Sequence, residues 1–452
     1  MTLAPPPGSR ATVTPLRAAT GAPRITEQQA MREFASVHTG KLKFHHDRGI
    51  WLVWDRHRWR PDGRQQAAAW ALDQCYAYTT KGTQRIGFAT AVERGARSRS
   101  ALATITEDWN TNPLLLGTPD GTVEHSVLRD GRPADMITRA TSVAPADRCD
   151  CPLWYDFLSA IFPEAGIIDF LQRSLGYALT GATKEDKFWF LYGTGANGKS
   201  TLLNTVSAIL GDYAANVPFD LFLEQHVERH TTELARLDGV RLAIVHESRE
   251  GKHWDEAKLK HLTGGDKITA RFMRQDDFEF TPQCKFWFAG NDKPHIRSVD
   301  EAMRRRPLLV PCTVTIPPDQ RDPELAAKLT AEHPAILRWM IEGLEHYQRI
   351  GLAVPQSIRD ATADYLDAQD DFAQWWDERV EPTPYAKTLG AALFANWSQW
   401  KKDRGEYPGH AKTFYGKLEK CGLVKLKTNH GIEWINLQLR PIATTGFGAY
   451  SP

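Results

Sequence analysis

The chain has 452 residues, 42% of them apolar and 25% charged, with a formal net charge of +1. That is the composition of a soluble globular protein of about three domains. It excludes a polycation, so any contact with nucleic acid must come from local clusters of Lys and Arg.

In chain order, residues 1–25 carry Pro5-Pro6-Pro7 and lack a continuous apolar core, which predicts a disordered tail. Thr26 and Gln29 have capping-box spacing and open a helix through Ala30 and Phe34. Two short aromatic strands follow, Leu42 to His45 and Ile50 to Trp54, turning at Asp47-Arg48-Gly49. His45-His46 reads as hairpin surface, because no Asp, Glu or Cys constellation supports a metal there. Helical stretches then run to about residue 105. Pro113 to Thr141 is rich in turns, and 26–150 reads as one small α+β domain.

The middle of the chain, 151–318, holds three apolar runs that predict buried strands: Phe188 to Tyr192, Leu242 to Val245 and Phe286 to Ala289. Each ends in a polar or glycine-rich segment. In an open α/β sheet, ligands bind outside the carboxyl ends of parallel strands, so these three ends should share one site. Residues 319–384 read as a helical extension, with Glu381-Pro382-Thr383-Pro384 as a linker. Residues 385–452 read helix, helix, strand, turn at Asn429-His430-Gly431, strand, which is a winged-helix order.

The most specific motif is Gly193-Thr194-Gly195-Ala196-Asn197-Gly198-Lys199-Ser200, a full match to G-x-x-x-x-G-K-[ST] between a strand and the helix that starts at Thr201. Glycines let backbone N–H groups turn toward phosphate oxygens, and the helix adds its positive end. Lys199 is expected to reach the β- and γ-phosphates of ATP, and the Ser200 hydroxyl to hold Mg²⁺. Glu247, after the second strand, is placed to approach the Mg²⁺ or to polarise the attacking water. Asn291, after the third, is a candidate sensor of the γ-phosphate or a simple turn asparagine.

Six cysteines, Cys75, Cys149, Cys151, Cys284, Cys312 and Cys421, form no C-x-x-C pair. That argues against zinc and for reduced thiols in a cytoplasmic compartment. Nothing resembles a signal peptide, and no apolar run approaches the ~20 residues that cross a bilayer, so no membrane partner is expected.

The sequence resembles superfamily 3 helicases of the phage and plasmid primase–helicase type. The residues that carry the resemblance are the G-x-N-G-K-S form in Gly195 to Ser200, Lys260 to Arg271, Phe286 to Asn291 with Lys293-Pro294, and Asp300 to Arg306. Upstream, Trp109 to Val143, Cys151 to Trp154 and Leu175 to Gly181 are similar to the domain that precedes the helicase in that family. The resemblance implies an AAA+-like motor on a parallel sheet, assembly as a homohexameric ring, ATP and Mg²⁺ as cofactors, DNA as partner, a separate primase, and a bacterial host cell. It implies an arginine finger at Arg305 or Arg306, with Arg306 preferred because it directly precedes the apolar strand Leu308 to Val310. It also implies that the hairpin of residues 267–282 enters the ring's channel, where Lys267, Arg271 and Arg274 would grip phosphates. Phe272 would stack on a base there, or else serve as a core aromatic. In the tail, Lys412 and Lys417 face DNA, or the module docks protein. Two departures stand out: His246 precedes Glu247 where other branches carry an acid, and no primase–polymerase domain is visible. The competing readings are a small-molecule P-loop kinase or NTPase, and a non-catalytic initiator that binds DNA.

Overall fold

The computed structural model describes residues 24–78, 80, 82–224, 232–246, 253–271, 276–296 and 299–441. Helix Glu27–Val37 starts at the expected capping box: Gln29 N donates to Thr26 Oγ1 at 3.2 Å, and Thr26 N donates to Gln29 Oε1 at 3.0 Å. Strands β1 (Leu42–His45) and β2 (Ile50–Trp54) pair antiparallel, as the two aromatic runs predict. With β3 (Trp59–Pro61) and β4 (Ala103–Thr104) they form a sheet in the order β3-β2-β1-β4. Helices Glu27–Val37, Gln66–Ala77 and Ile86–Ala96 share with it a core that includes Phe34, Phe44, Trp51 and Val92. A meander of β5 (Leu116–Thr118), β6 (Gly121–Glu124) and β7 (Val127–Arg129) organises the turn-rich stretch.

Two histidines here are interior. His45 is 4% exposed because β1 is paired on both sides, by β2 and by β4, so the expectation of a surface position is corrected. His38 stacks on Trp70 with ring centroids 4.7 Å apart, and burial holds its imidazole down at about 4. The unfolded chain takes up this proton near pH 6.5, whereas the folded chain does so only near pH 4. Stability is therefore expected to fall as pH drops through that window, by up to about 3 kcal/mol from this residue alone. Denaturant titrations at pH 7 and pH 4.5 check this. The His38→Phe variant should lose less stability between them than the parent does.

The chain's central feature is a five-stranded sheet in the order β14-β8-β13-β10-β9. Its strands are β8 (Phe188–Tyr192), β9 (Ala214–Asn216), β10 (Leu242–His246), β13 (Lys285–Gly290) and β14 (Pro307–Pro311), and every pairing is parallel. A parallel sheet is covered on both faces, which is why these strands read as nearly unbroken apolar runs. On one face Trp189 stacks on Trp287, with centroids 5.2 Å apart, in a core with helices Pro152–Ile161, Ile167–Ala178, Lys199–Leu210 and His333–Ile350. On the other face Phe188, Phe190 and Phe288 meet Trp254, Phe219 and Phe222. Helices Ile167–Ala178 and His333–Ile350 cross where glycines meet. A Cβ on Gly176 would lie 2.2 Å from Leu344 N, so alanine there forces the helices apart. Between β10 and β13 in sequence lies a separate hairpin, β11 (Ile268–Ala270) with β12 (Phe278–Phe280).

The first compact unit comprises Met1–Pro294 and Arg305–Ile358; the second comprises His295–Arg304 and Arg359–Pro452. In the second, β15 (Val380–Leu389), β16 (Lys425–Thr428) and β17 (Gly431–Leu439) form a sheet in the order β15-β17-β16. Helices Asp371–Arg379, Gly390–Asp403 and Ala411–Lys420 close on an aromatic core of Phe372, Trp375, Trp397, Trp400, Phe414 and Trp434. The expected linker at 381–384 is strand instead, and the boundary expected at 384/385 falls inside β15. Its prolines are tolerated because β15 is an edge strand with a register shift between Pro382 and Lys387. Among the described residues, no helix is long and apolar enough to cross a membrane.

Candidate active site

The loop after β8 turns within six residues into helix Lys199–Leu210, and glycine makes that path possible. Gly198 sits at φ +76° with a virtual Cβ 3.0 Å from both Phe157 and Ile161. Gly193 runs so close to the end of β14 that a Cβ would lie 2.1 Å from the Cys312 carbonyl oxygen. The loop is braced from that side: Ile316 N donates to Ala196 O at 2.9 Å, and Thr194 Oγ1 lies 3.4 Å from Thr315 Oγ1.

Lys199 is 7% exposed and held by three neutral oxygens. Its Nζ donates to Gly193 O at 2.8 Å, Asn197 Oδ1 at 2.9 Å and Asn291 Oδ1 at 3.3 Å. Burial pulls its ammonium below the usual lysine range, which an anionic partner would reverse. Asn197 is 3% exposed and donates through Nδ2 to Cys312 O at 3.0 Å, so its amide is a strut between the lysine and β14. Burial pushes the neighbouring Cys312 thiol up to about 12, which makes it an inert packing group.

A cavity of about 720 Å³ opens at this edge of the sheet. Gly195 to Thr201 line it together with His246 at the end of β10 and with Asn291 and Asp292 beyond β13. The three strand ends are therefore brought together. Glu247 follows His246 directly but lies outside the described residues. Sequence reasoning missed Asn204, Asn216 and Asp292, which also line the cavity. Asn216 ends β9 and so follows the same carboxyl-end rule. The donor set suits a magnesium nucleotide: a buried ammonium, a helix N-terminus, an exposed Ser200 hydroxyl and amide side chains, all on one polar cavity. Among the described residues there is no cluster of His, Cys, Asp and Glu fit to hold a metal by itself.

The two finger candidates differ. Arg306 is 6% exposed, and its Nε donates to Thr263 Oγ1 at 3.0 Å. Its guanidinium is thus engaged within its own protomer. Arg305 keeps 59% of its side chain exposed, with a loose ion pair to Asp186 at 3.6 Å. On the hairpin, Lys267 and Arg271 are exposed, but each faces an acid on the opposite arm: Glu279 at 3.9 Å and Asp277 at 3.7 Å. With Asp276 they offset the basic residues, so the hairpin as a whole is not a positive spike. Phe272 and Arg274 lie outside the described residues. In the second unit Lys412 is exposed, whereas Lys417 lies over the rings of Phe372 and Trp397 at 5.8 and 5.7 Å. Lys417 therefore borders the aromatic core.

Residues 30–163 match the family described as D5 N terminal like, and residues 191–306 match a family of unknown function, DUF5906. The chain is 25% identical over 367 residues to a helicase-named protein of Acanthamoeba polyphaga mimivirus, covering 72% of this chain and 38% of that protein. It is 24% identical to a helicase-named protein of Frog virus 3 over 59% of this chain and 29% of that one. A primase-named protein of African swine fever virus matches at 25% identity over 46% of this chain and 23% of that one. The chain thus spans less than two fifths of these relatives. In fold it is similar to the apo C terminal region of NrS-1, with a TM-score of 0.52 at 10% identity, covering 90% of this chain and 99% of that one. The chain is thus similar in sequence to viral proteins named as helicases and primases, and its mixed α/β fold is similar to that of the NrS-1 C terminal region.

Proposed function

We propose that this chain is the ATP-driven motor of a ring-shaped DNA helicase serving a phage, plasmid or similar mobile element in the cytoplasm of a bacterial host. The observation that carries this reading is the cavity in which Lys199, Asn291 and the loop of residues 193–200 converge at the carboxyl edge of an all-parallel sheet. That arrangement supports a P-loop, AAA+-like core. The helix–helix–strand–strand order after Gly390 supports a winged-helix-like tail.

In this reading the backbone N–H groups of residues 195–201 hold phosphate oxygens, and Lys199 exchanges its amide and carbonyl partners for the β- and γ-phosphates. The Ser200 hydroxyl would hold Mg²⁺, which would neutralise phosphate charge when bound. Glu247 polarises the attacking water, and Asn291, already hydrogen-bonded to Lys199, positions the γ-phosphate end. Arg305 completes the site of the adjacent protomer. Hydrolysis then moves the β11–β12 hairpin along single-stranded DNA, with Lys267, Arg271 and Arg274 touching phosphates and Phe272 a base. Lys412 offers a second DNA contact, and a primase acts as a separate partner.

A strand-displacement assay with ATP, run beside mass measurement of the particle, tests this. The expected result is unwinding by a hexamer. A protein that remains monomeric with ATP and DNA present, yet hydrolyses ATP at full rate, overturns it.

A further inference from the structure

Between Asn291 and Arg305 the chain leaves the first compact unit and comes back. Residues up to Pro294 belong to the first unit, His295–Arg304 to the second, and Arg305 to the first again. The excursion therefore begins just past Asn291 and ends one peptide bond before Arg305.

Both ends of this segment are tied down inside the second unit. At its start His295 Nδ1 lies 3.1 Å from Gln369 Oε1, and Ile296 N donates to that same oxygen at 3.1 Å. At its end the short helix Glu301–Arg304 is capped by Asp300, whose Oδ1 accepts from Met303 N at 2.8 Å, and Met303 is fully buried. Arg304 then forks between two carboxylates. Its Nη1 donates to Asp367 Oδ1 at 3.1 Å and its Nη2 to Asp370 Oδ2 at 3.0 Å. A planar guanidinium held at two donors fixes orientation as well as distance. Asp370 is itself fixed, because its Oδ1 caps helix Asp371–Arg379 by accepting from Ala373 N at 3.1 Å. Asp367, Gln369 and Asp370 all sit where helix Gln356–Gln369 meets that next helix. Arg305, by contrast, keeps 59% of its side chain exposed and has a loose ion pair with Asp186 at 3.6 Å. Its neighbour Arg304 is the better-held residue of the two.

We propose that Arg304 is a positioning residue for Arg305, anchored by Asp367 and Asp370, and that the second unit thereby regulates ATP hydrolysis at the adjacent protomer's site. This rests on the reading of Arg305 as the finger. A load on the second unit would reach that site through a single peptide bond.

ATP turnover by the full chain is measured with DNA present for Arg304→Gln, Arg304→Lys and the double variant Asp367→Asn with Asp370→Asn. Asparagine at 370 keeps a helix cap and removes the charge. Exposed ion pairs contribute little to stability, so all three should melt as the parent does. Arg304→Gln should bind a fluorescent ATP analogue normally, yet hydrolyse ATP roughly 10²-fold more slowly, the scale of a misplacement of about 1 Å at a reacting centre. The double variant should lose a similar factor, and adding Arg304→Gln to it should cost little more, because the three residues act as one unit. Arg304→Lys, which keeps the charge, should retain more turnover than Arg304→Gln. Mixing Arg304→Gln with Lys199→Ala protomers should restore activity, since a finger serves its neighbour, whereas a defect in the variant's own ATP pocket would not be complemented. Parent-like turnover in Arg304→Gln and in the double variant overturns the proposal, and so does a loss that mixing leaves unrestored. Arg305→Ala separates this from the reading beneath it. If that variant keeps full turnover, the finger reading itself falls; if it alone loses turnover, the finger stands and its anchoring through Arg304 does not.

Discussion

Lys199→Ala should abolish ATP turnover, with a loss of at least roughly 10²–10³-fold, the scale of removing one preorganised electrostatic contact in a closed site. The side chain is buried and held by Gly193, Asn197 and Asn291, so it is positioned before nucleotide arrives. Alanine removes the only lysine in the loop and leaves three oxygens facing one another. Steady-state hydrolysis measures the effect, and a thermal melt shows whether the fold survives. Unchanged turnover in a folded variant would remove the P-loop assignment.

Arg305→Ala should bind nucleotide normally and lose about 10³–10⁵-fold in hydrolysis, the range for a finger supplied in trans. Among the described residues its exposed guanidinium has only the long contact to Asp186 to give up, so folding should be unaffected. Mixing with Lys199→Ala protomers provides a sharper readout. In the proposed ring each variant would lack a different half of a shared site, so mixed rings should regain activity that neither has alone. Full activity of Arg305→Ala by itself would exclude it as the finger. Arg306→Ala serves as the contrast, because its burial against Thr263 predicts a lowered melting temperature.

The sequence made the sheet legible where burial is two-sided. Phe188 to Tyr192, Leu242 to Val245 and Phe286 to Ala289 are short apolar runs with polar ends, and that pattern has few other solutions in a soluble chain. The site followed from the same rule, since the residues after parallel strands share one edge. What sequence missed depended on distant partners. The burial of Arg306 against a threonine 43 residues away could not be read from its neighbours in the chain. His45 looked like a hairpin flank until β4, nearly 60 residues downstream, paired with its strand. Pro382 and Pro384 looked like a linker because proline opposes strand pairing, yet an edge strand with a register shift accommodates both.

The Asn197 strut has one more consequence. A flexible ammonium side chain ordinarily surrenders up to about 2 kcal/mol of rotamer freedom when a ligand fixes it. Here that immobilisation is completed during folding, because the amide clamps the lysine on one side and the Cys312 carbonyl, just past β14, on the other. Nucleotide arrival then asks for a change of acceptors and not a search for a pose. Trading asparagine for aspartate at 197 would convert the clamp into a competing anion, and the resting protein would hold its own lysine against the incoming phosphates.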